Sequence, residues 1–211
     1  MGRVGGEDDI VVALCSCERL DVATNAWMRG PDMLSERTYL GVCVLNEEVW
    51  AIGGSRAQHD GPLLHGELWI IYCFSTWTER LDAVTNQWVR GPDQLEVRSN
   101  FGLAVFQGQL WAVGGCDNEI DHLSSCEYLD AASDTWMAGP PMNSSRSGHG
   151  LAVLDGELWA VGGYGQVGGL ADEEGPLQSC ERLDATTNTW IRPPHANCPP
   201  LLRGEVLTAL N

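Results

Sequence analysis

Four times along this chain the same punctuation returns. A Gly-Gly pair is followed by Glu-Arg/Tyr-Leu-Asp, and a Trp stands six residues after that Asp. The pairs are Gly5-Gly6, Gly53-Gly54, Gly114-Gly115 and Gly162-Gly163, and the tryptophans are Trp27, Trp88, Trp136 and Trp190. An arginine stands sixteen residues before three of the pairs (Arg37, Arg98, Arg146), and a second Trp series (Trp50, Trp111, Trp159) stands three residues before them. Self-similarity of this kind fixes the architecture before any single residue is considered. Units that cannot bury their apolar faces alone must stack.

The third unit shows what each repeat predicts. Residues 98–106 read as a strand, Gln107-Gly108 as a tight turn, 109–113 as a second strand ended by Gly-Gly, 125–130 as a third and 135–137 as the start of a fourth. Short strands separated by Gly and Asn/Asp turns predict an antiparallel meander. Asp155-Gly156 is a strong two-residue hairpin signal in the next unit. The second strand is almost continuously apolar (Val49 to Ile52, Leu110 to Val113, Leu158 to Val161). A strand without polar alternation is covered on both faces. In a four-stranded sheet the neighbouring sheets must supply that cover, as in propeller blades. The later Trp is expected to cover the adjacent blade and to seek a partner for its N–H.

These residues resemble kelch repeats over residues 36–92, 97–140 and 145–193. The resemblance implies an all-β propeller of about four blades, each a four-stranded antiparallel meander. The expected domain is single, 1–211. Its units are about 1–35 (partial), 36–96, 97–144 and 145–200, with 201–211 as a first strand. Arg203-Gly-Glu-Val-Leu-Thr-Ala-Leu210 resembles a first strand and Arg3-Val4-Gly5-Gly6 the end of a second. Two expectations follow: the C-terminal strand closes the first blade to give four blades, or the chain is a fragment of a larger propeller. The family mostly serves as protein-interaction domains, including substrate receptors of cullin-type ubiquitin ligases and actin-associated proteins. The BTB and BACK domains that connect many kelch proteins to ligases are not within these 211 residues. The expected function is a protein–protein interaction module, as substrate receptor or scaffold of a ubiquitin ligase. The alternatives are an actin-associated protein and an enzyme of oxidase or mutarotase type on the same scaffold.

Charge narrows the partners. The formal net charge is -17, with 12 Lys+Arg against 29 Asp+Glu. That balance argues against nucleic acid, which needs a basic footprint, and against an anionic membrane surface. The first residues lack the apolar core of a secretory signal, which points to an intracellular, cytoplasmic compartment. Three of the eight cysteines (Cys17, Cys126, Cys180) occupy one repeat slot, just before the Glu. They read as small buried groups, and no disulfide is expected in a reducing compartment.

Length variation concentrates in one loop. From the second Gly of each pair to the Glu, the gaps are 12, 25, 12 and 18 residues. Variation on one face of a fixed scaffold marks a binding surface. Positions matching those used by peptide-binding kelch domains are Tyr39, Asn100 and Gly148, two after the Arg, and Ser55-Arg56, Cys116-Asp117 and Tyr164-Gly165, just after Gly-Gly. Of these, Tyr39, Ser55, Arg56, Asn100, Cys116, Asp117 and Tyr164 are the expected partner-binding residues. The repeat arginines read instead as structural, bonding carbonyls or carboxylates between blades. Residues 64–76 add an apolar insertion to the second unit, read as a decayed repeat, an extra hairpin on the rim or an artefact of the gene model. The five histidines show no metal-ligand spacing, and no nucleophile elbow or phosphate loop is present. The reading therefore names no catalytic residue, cofactor or metal, and the partner expected is another protein, a cullin-ligase substrate or actin.

Overall fold

The computed structural model describes residues 14–46, 48–58, 71–119, 121–166 and 174–193. The first unit contributes a two-stranded ribbon of β1 (Glu18–Asp21) and β2 (Ala26–Arg29). The second contains β3 (Gly41–Leu45), β4 (Glu48–Ile52), a separate ribbon of β5 (Ser55–Gln58) and β6 (Ile71–Phe74), then β7 (Thr78–Asp82) and β8 (Gln87–Arg90). The third holds β9 (Gly102–Phe106), β10 (Gln109–Val113), β11 (Cys126–Asp130) and β12 (Thr135–Ala138). The fourth holds β13 (Gly150–Leu154), β14 (Glu157–Val161), a ribbon of β15 (Tyr164–Gln166) and β16 (Glu174–Pro176), then β17 (Cys180–Asp184) and β18 (Thr189–Ile191). The sheets run β3-β4-β7-β8, β9-β10-β11-β12 and β13-β14-β17-β18, all antiparallel meanders. The first strands β3, β9 and β13 lie beside one another in that order. No helix among the described residues is long and apolar enough to cross a membrane.

The turns follow from backbone chemistry. Gln107-Gly108 and Asp155-Gly156 have φ of 52°/76° and 53°/78°, the left-handed pair that a two-residue hairpin requires. Between the third and fourth strands of each unit, the Asp that ends the third strand accepts backbone N–H bonds. Asp82 Oδ1 takes Val84 and Thr85 at 2.9 and 2.7 Å, and Asp184 Oδ1 takes Thr186 and Thr187 at 2.8 and 3.3 Å. These donors hold the Asp82 and Asp184 carboxyls below the usual range, the effect of hydrogen bonds to a charged form. The second glycine of each pair is required by crowding. A Cβ at Gly54, Gly115 or Gly163 would lie 2.6 Å from the carbonyl oxygen of Thr38, Ser99 or Ser147, at φ of +87°, +102° and +91°.

The apolar second strands sit between sheets as their composition required. Ala51, Ile52, Leu110, Ala112, Val113, Leu158 and Ala160 are wholly buried. One core joins Leu45, Trp50 and Ile52 to Leu110, Leu129 and Trp136. The next joins Phe106, Trp111 and Val113 to Leu158, Leu183 and Trp190. The later tryptophans bridge blades by hydrogen bonds. Trp88, Trp136 and Trp190 donate Nε1–H to the carbonyls of Pro31, Pro92 and Pro140 at 3.0, 3.1 and 3.0 Å. Each of those prolines lies in the linker leaving the preceding unit. Trp27 has no such cover among the described residues and is 68% exposed, whereas its three counterparts are exposed by 7% or less.

The arginines staple each blade to itself, which corrects the expectation that they bond between blades. Arg37 donates to the carbonyls of Gly53 and Trp77 and to Glu79 at 2.7, 2.8 and 2.7 Å. Arg98 meets Gly114, Ser125 and Glu127 at 2.6, 3.3 and 2.7 Å, and Arg146 meets Gly162, Ser179 and Glu181 at 2.9, 3.2 and 2.9 Å. All six side chains are buried. Each carboxylate also accepts from the linker just before its arginine: Leu34 N on Glu79, Leu95 N on Glu127, and Asn143 N on Glu181, at 2.6–2.7 Å. Burial alone would raise the Glu181 carboxyl. The Asn143 and Ser144 donors and the Arg146 charge outweigh it and hold the group below its ordinary value.

One alternative for the insertion is selected, and one expectation changes. Residues 71–74 of the insertion pair with 55–58 (Ser55↔Phe74 to Gln58↔Ile71) as an extra hairpin, and 64–70 lie outside the described residues, as do Gly5-Gly6 and residues 201–211, where a first strand was expected. Cys180 is disulfide-bonded, contrary to expectation, while Cys17 and Cys126 in the equivalent slots are free, so the bond does not link repeat positions.

Removing one partner of a buried pair leaves an uncompensated charge. Arg98→Leu is expected to lose about 3–5 kcal/mol of stability in urea unfolding. Arg29→Ala, which breaks the exposed Arg29–Asp32 pair, is expected to lose at most about 1 kcal/mol.

Candidate functional site

Every staple delivers its chain to the same edge. Two residues after each arginine the backbone turns left-handed: φ is 54° at Tyr39, 56° at Asn100 and 57° at Gly148. These three residues are chained by hydrogen bonds across three blades. Asn100 N donates to Tyr39 O at 3.2 Å, and Gly148 N donates to Asn100 O at 2.8 Å. Left-handed geometry is comfortable for Gly and Asn and uncommon for Tyr. It throws Tyr39 outward, where it is 55% exposed.

The residues after Gly-Gly come to this rim. Ser99 and Cys116 exchange backbone bonds at 2.9 and 2.8 Å, and Ser147 and Tyr164 at 2.9 Å both ways. Asn100 is thus held next to Cys116, and Gly148 next to Tyr164, which is 46% exposed. Ser55 and Arg56 open β5, whose backbone leaves from the equivalent point of the second blade. Asp117 Oδ1 accepts from the N–H of Glu119 and Asp121 at 2.9 Å each, shaping its own loop. Two of the matching positions turn inward. Cys116 is buried, and a Cβ at Gly165 would meet the Ser145 carbonyl at 2.1 Å, so Gly165 is a close-approach position in the scaffold.

Sequence reasoning missed His122 and Glu174. His122 Nδ1 lies 3.6 Å from Cys116 Sγ, its Nε2 lies 3.5 Å from Glu174 Oε2, and its ring centroid is 5.6 Å from that of Tyr164. His122 comes from the loop of the third blade and Glu174 from the ribbon of the fourth. Neither has a repeat counterpart, so no spacing could have paired them. The thiol–imidazole–carboxylate order resembles an activated nucleophile, but the electrostatics oppose it. Burial pushes the Cys116 thiol up, the charges of Asp117 and Glu174 push it further, and the bond with Ser147 offsets this only in part. Among the described residues no group of three or more His, Cys, Asp or Glu is placed to hold a metal.

His149, three residues past Arg146, packs against the glycines of the third blade. A Cβ at Gly102 or Gly114 would lie 2.8 or 3.0 Å from its ring atoms. Neither ring nitrogen has a partner among the described residues. Burial, followed by the charge on Arg146, pushes its pKa down to about 3.

Sheets of this form, packed face to face about their first strands, are blades of a β-propeller. The sequence profile of the Kelch motif matches residues 36–94, 98–143 and 145–195. The chain belongs to the kelch-repeat family. Similar proteins include Kelch-like protein 28 of Homo sapiens, 29% identical over 117 residues, which cover 55% of this chain and 19% of that protein. Kelch-like ECH-associated protein 1A of Danio rerio is 30% identical over 52% of this chain and 17% of its own length. Kelch domain-containing protein 8B of Rattus norvegicus is 27% identical over 52% of this chain and 30% of its own. The matched stretch spans less than a third of each of these relatives. The solved structure of YjhT superposes with a TM-score of 0.68 at 14% identity, over 84% of this chain and 61% of that one.

The His149 environment sets a pH dependence. The unfolded chain protonates this side chain near 6.5 and the folded chain only near 3. Its contribution is intact above pH 6.5 and is lost as pH falls from 6.5 towards 3. His149→Phe, which restores the residue type of Phe101, is expected to stabilise the protein, by a margin over the parent that widens from pH 7.5 to pH 5. Chemical denaturation at several pH values reads this margin; a margin independent of pH would show that the ring is not held neutral.

Proposed function

We propose that this chain binds another protein through the loop face and acts as the partner-recognition part of a larger assembly. The observation that carries the reading is the rim itself. Tyr39, Asn100 and Gly148 are linked by backbone bonds across three blades, and all the long, unequal loops start beside them. A rigid base carrying variable, exposed loops is how fixed scaffolds present recognition surfaces. The contact residues are Tyr39, Asn100, Asp117 and Tyr164, with Ser55 and Arg56 at the root of the β5–β6 ribbon and Cys116 as their buried support. Tyr residues with one apolar body and one polar tip suit such contacts.

The Kelch-like relatives extend the reading to a substrate receptor of a ubiquitin ligase, with the ligase contact made outside these 211 residues. Binding is preferred to catalysis because the thiol–imidazole–carboxylate cluster found at the face among the described residues has its thiol pKa raised, which favours the unreactive, protonated form.

The test is a photo-crosslinking residue placed at Tyr39, at Tyr164 or, as a control away from the rim, at the exposed Val84. Both rim positions are expected to crosslink one and the same protein, and Val84 none of it. Tyr39→Gly with Asn100→Gly, which keeps the left-handed backbone, is expected to weaken that partner's affinity at least about tenfold. Crosslinking only from Val84, or unchanged affinity in the double variant, would overturn the reading. Loss of the partner's ubiquitination when the double variant replaces the parent is the further result expected of a receptor.

A further inference from the structure

The loop of the third blade and the ribbon of the fourth meet at one imidazole. His122 lies between β10 and β11, and Glu174 opens β16. Neither side chain takes part in a staple or in the rim row, so their contact is additional to what the repeat requires. The backbone of His122 is anchored as well, in a bridge to Cys116, which itself pairs with Ser99 at the rim.

The imidazole is enclosed while the carboxylate is half open: their side chains are 8% and 48% exposed. On one side Nδ1 faces the Cys116 thiol at 3.6 Å, within its own loop. On the other, Nε2 faces Glu174 Oε2 at 3.5 Å, across the blade boundary. Tyr164 packs against the ring, with centroids 5.6 Å apart. Tyr164 belongs to the same ribbon as Glu174, pairing with Pro176 as Gln166 pairs with Glu174.

The charges brought to this ring are acidic. Its loop carries Asp117, Glu119 and Asp121, and Glu174 is the charged side chain of the described ribbon. The cations of the neighbouring strand entries are spent elsewhere, Arg98 on Glu96 and Glu127, and Arg146 on Glu181. His149 is held neutral against the glycines of the third blade. Burial, with the charges of Asp117 and Glu174, favours the protonated Cys116 thiol. A proton added to His122 therefore meets Glu174 at ion-pair distance, with no opposing cation among the described residues.

We propose that His122 is a pH-operated latch, which on taking up a proton ties the third-blade loop to the β15–β16 ribbon through Glu174 and fixes Tyr164 between them. Imidazole is the side chain that changes charge between neutral and mildly acid conditions. A neutral ring offers Glu174 at most an uncharged donor, whereas the imidazolium makes a charge-assisted contact. The contribution is present while the ring is charged and is lost as pH rises and the ring discharges. Its sense is opposite to that of His149, whose burial costs more as pH falls. The latch stands on this geometry alone. Its consequence for binding rests on the loop-face reading, in which Tyr164 is a contact residue.

Hydrogen exchange on the full chain, without any partner, tests the latch. With rates corrected for intrinsic chemistry, the Gln166 and Glu174 amides are expected to be about threefold better protected at about pH 5.5 than at about pH 7.5. Glu174→Gln and His122→Gln, which keep the shape and remove the charges, are each expected to abolish that gain. The Thr187 amide, at the hairpin of the fourth blade, reads effects of pH on the whole fold, including that of His149, and is expected to behave alike in parent and variants. Equal pH dependence of the ribbon amides in the parent and in His122→Gln, or a gain that survives Glu174→Gln, would overturn the latch. Should His122→Gln fail to fold, Glu174→Gln decides alone, since its carboxylate is half exposed. The measurement uses the chain by itself, so failure of the latch is distinct from failure of the loop-face reading, which the crosslinks from Tyr39 and Tyr164 decide.

Discussion

The buried arginine–glutamate staple is the interaction on which the rest of this structure depends. A guanidinium presents a planar fork of donors, and here it meets two backbone carbonyls at strand ends and one carboxylate. The carboxylate is in turn satisfied by N–H groups of the incoming linker. Two charges out of water are costly unless every lone pair and proton is used. That requirement fixes four chain segments at one point: the end of the second strand, the start of the third, the linker and the approach to the first. The staple therefore sets where each first strand begins and how its chain enters the sheet.

Position at the rim follows from that fixation. Two residues after each held arginine the chain makes a left-handed turn before it enters the inner strand, and the turn aligns one peptide per blade into a hydrogen-bonded row. The second glycine of each pair lets this row approach the strand ends, since any side chain there would strike a carbonyl. The same crowding leaves the first-strand glycines as notches that the next blade fills with Phe101 or His149. His149 occupies an aromatic's place at an electrostatic cost, because a ring with two polar atoms is buried where neither finds a partner among the described residues.

Much of this was readable from spacing. Strand order, the apolar second strands, the hairpin at Asp155-Gly156 and the bridging role of Trp88, Trp136 and Trp190 all follow from residues at fixed offsets, because backbone geometry repeats wherever the offsets repeat. The arginines were read as structural, but their partners were placed between blades. The sequence shows that Arg and Glu recur together without showing that one sheet folds both to the same corner. His122 and Glu174 were missed because they belong to loops of different blades and different lengths, where no offset is shared. Cys116 was read as a surface residue by analogy of position, and its burial depends on the loop that folds over it.

The sequence by itself determined the repeating unit and hence the all-β, kelch-type architecture, because hydrophobic period, turn chemistry and Gly-Gly placement are local constraints that each unit satisfies alone. Only the tertiary structure decided which side chains at the loop edge face solvent, which thiol is buried beside an imidazole, and which aromatic fills each glycine notch. Those outcomes depend on how neighbouring blades crowd and cover one another. That crowding is a property of the packed array and is carried by no single stretch of chain.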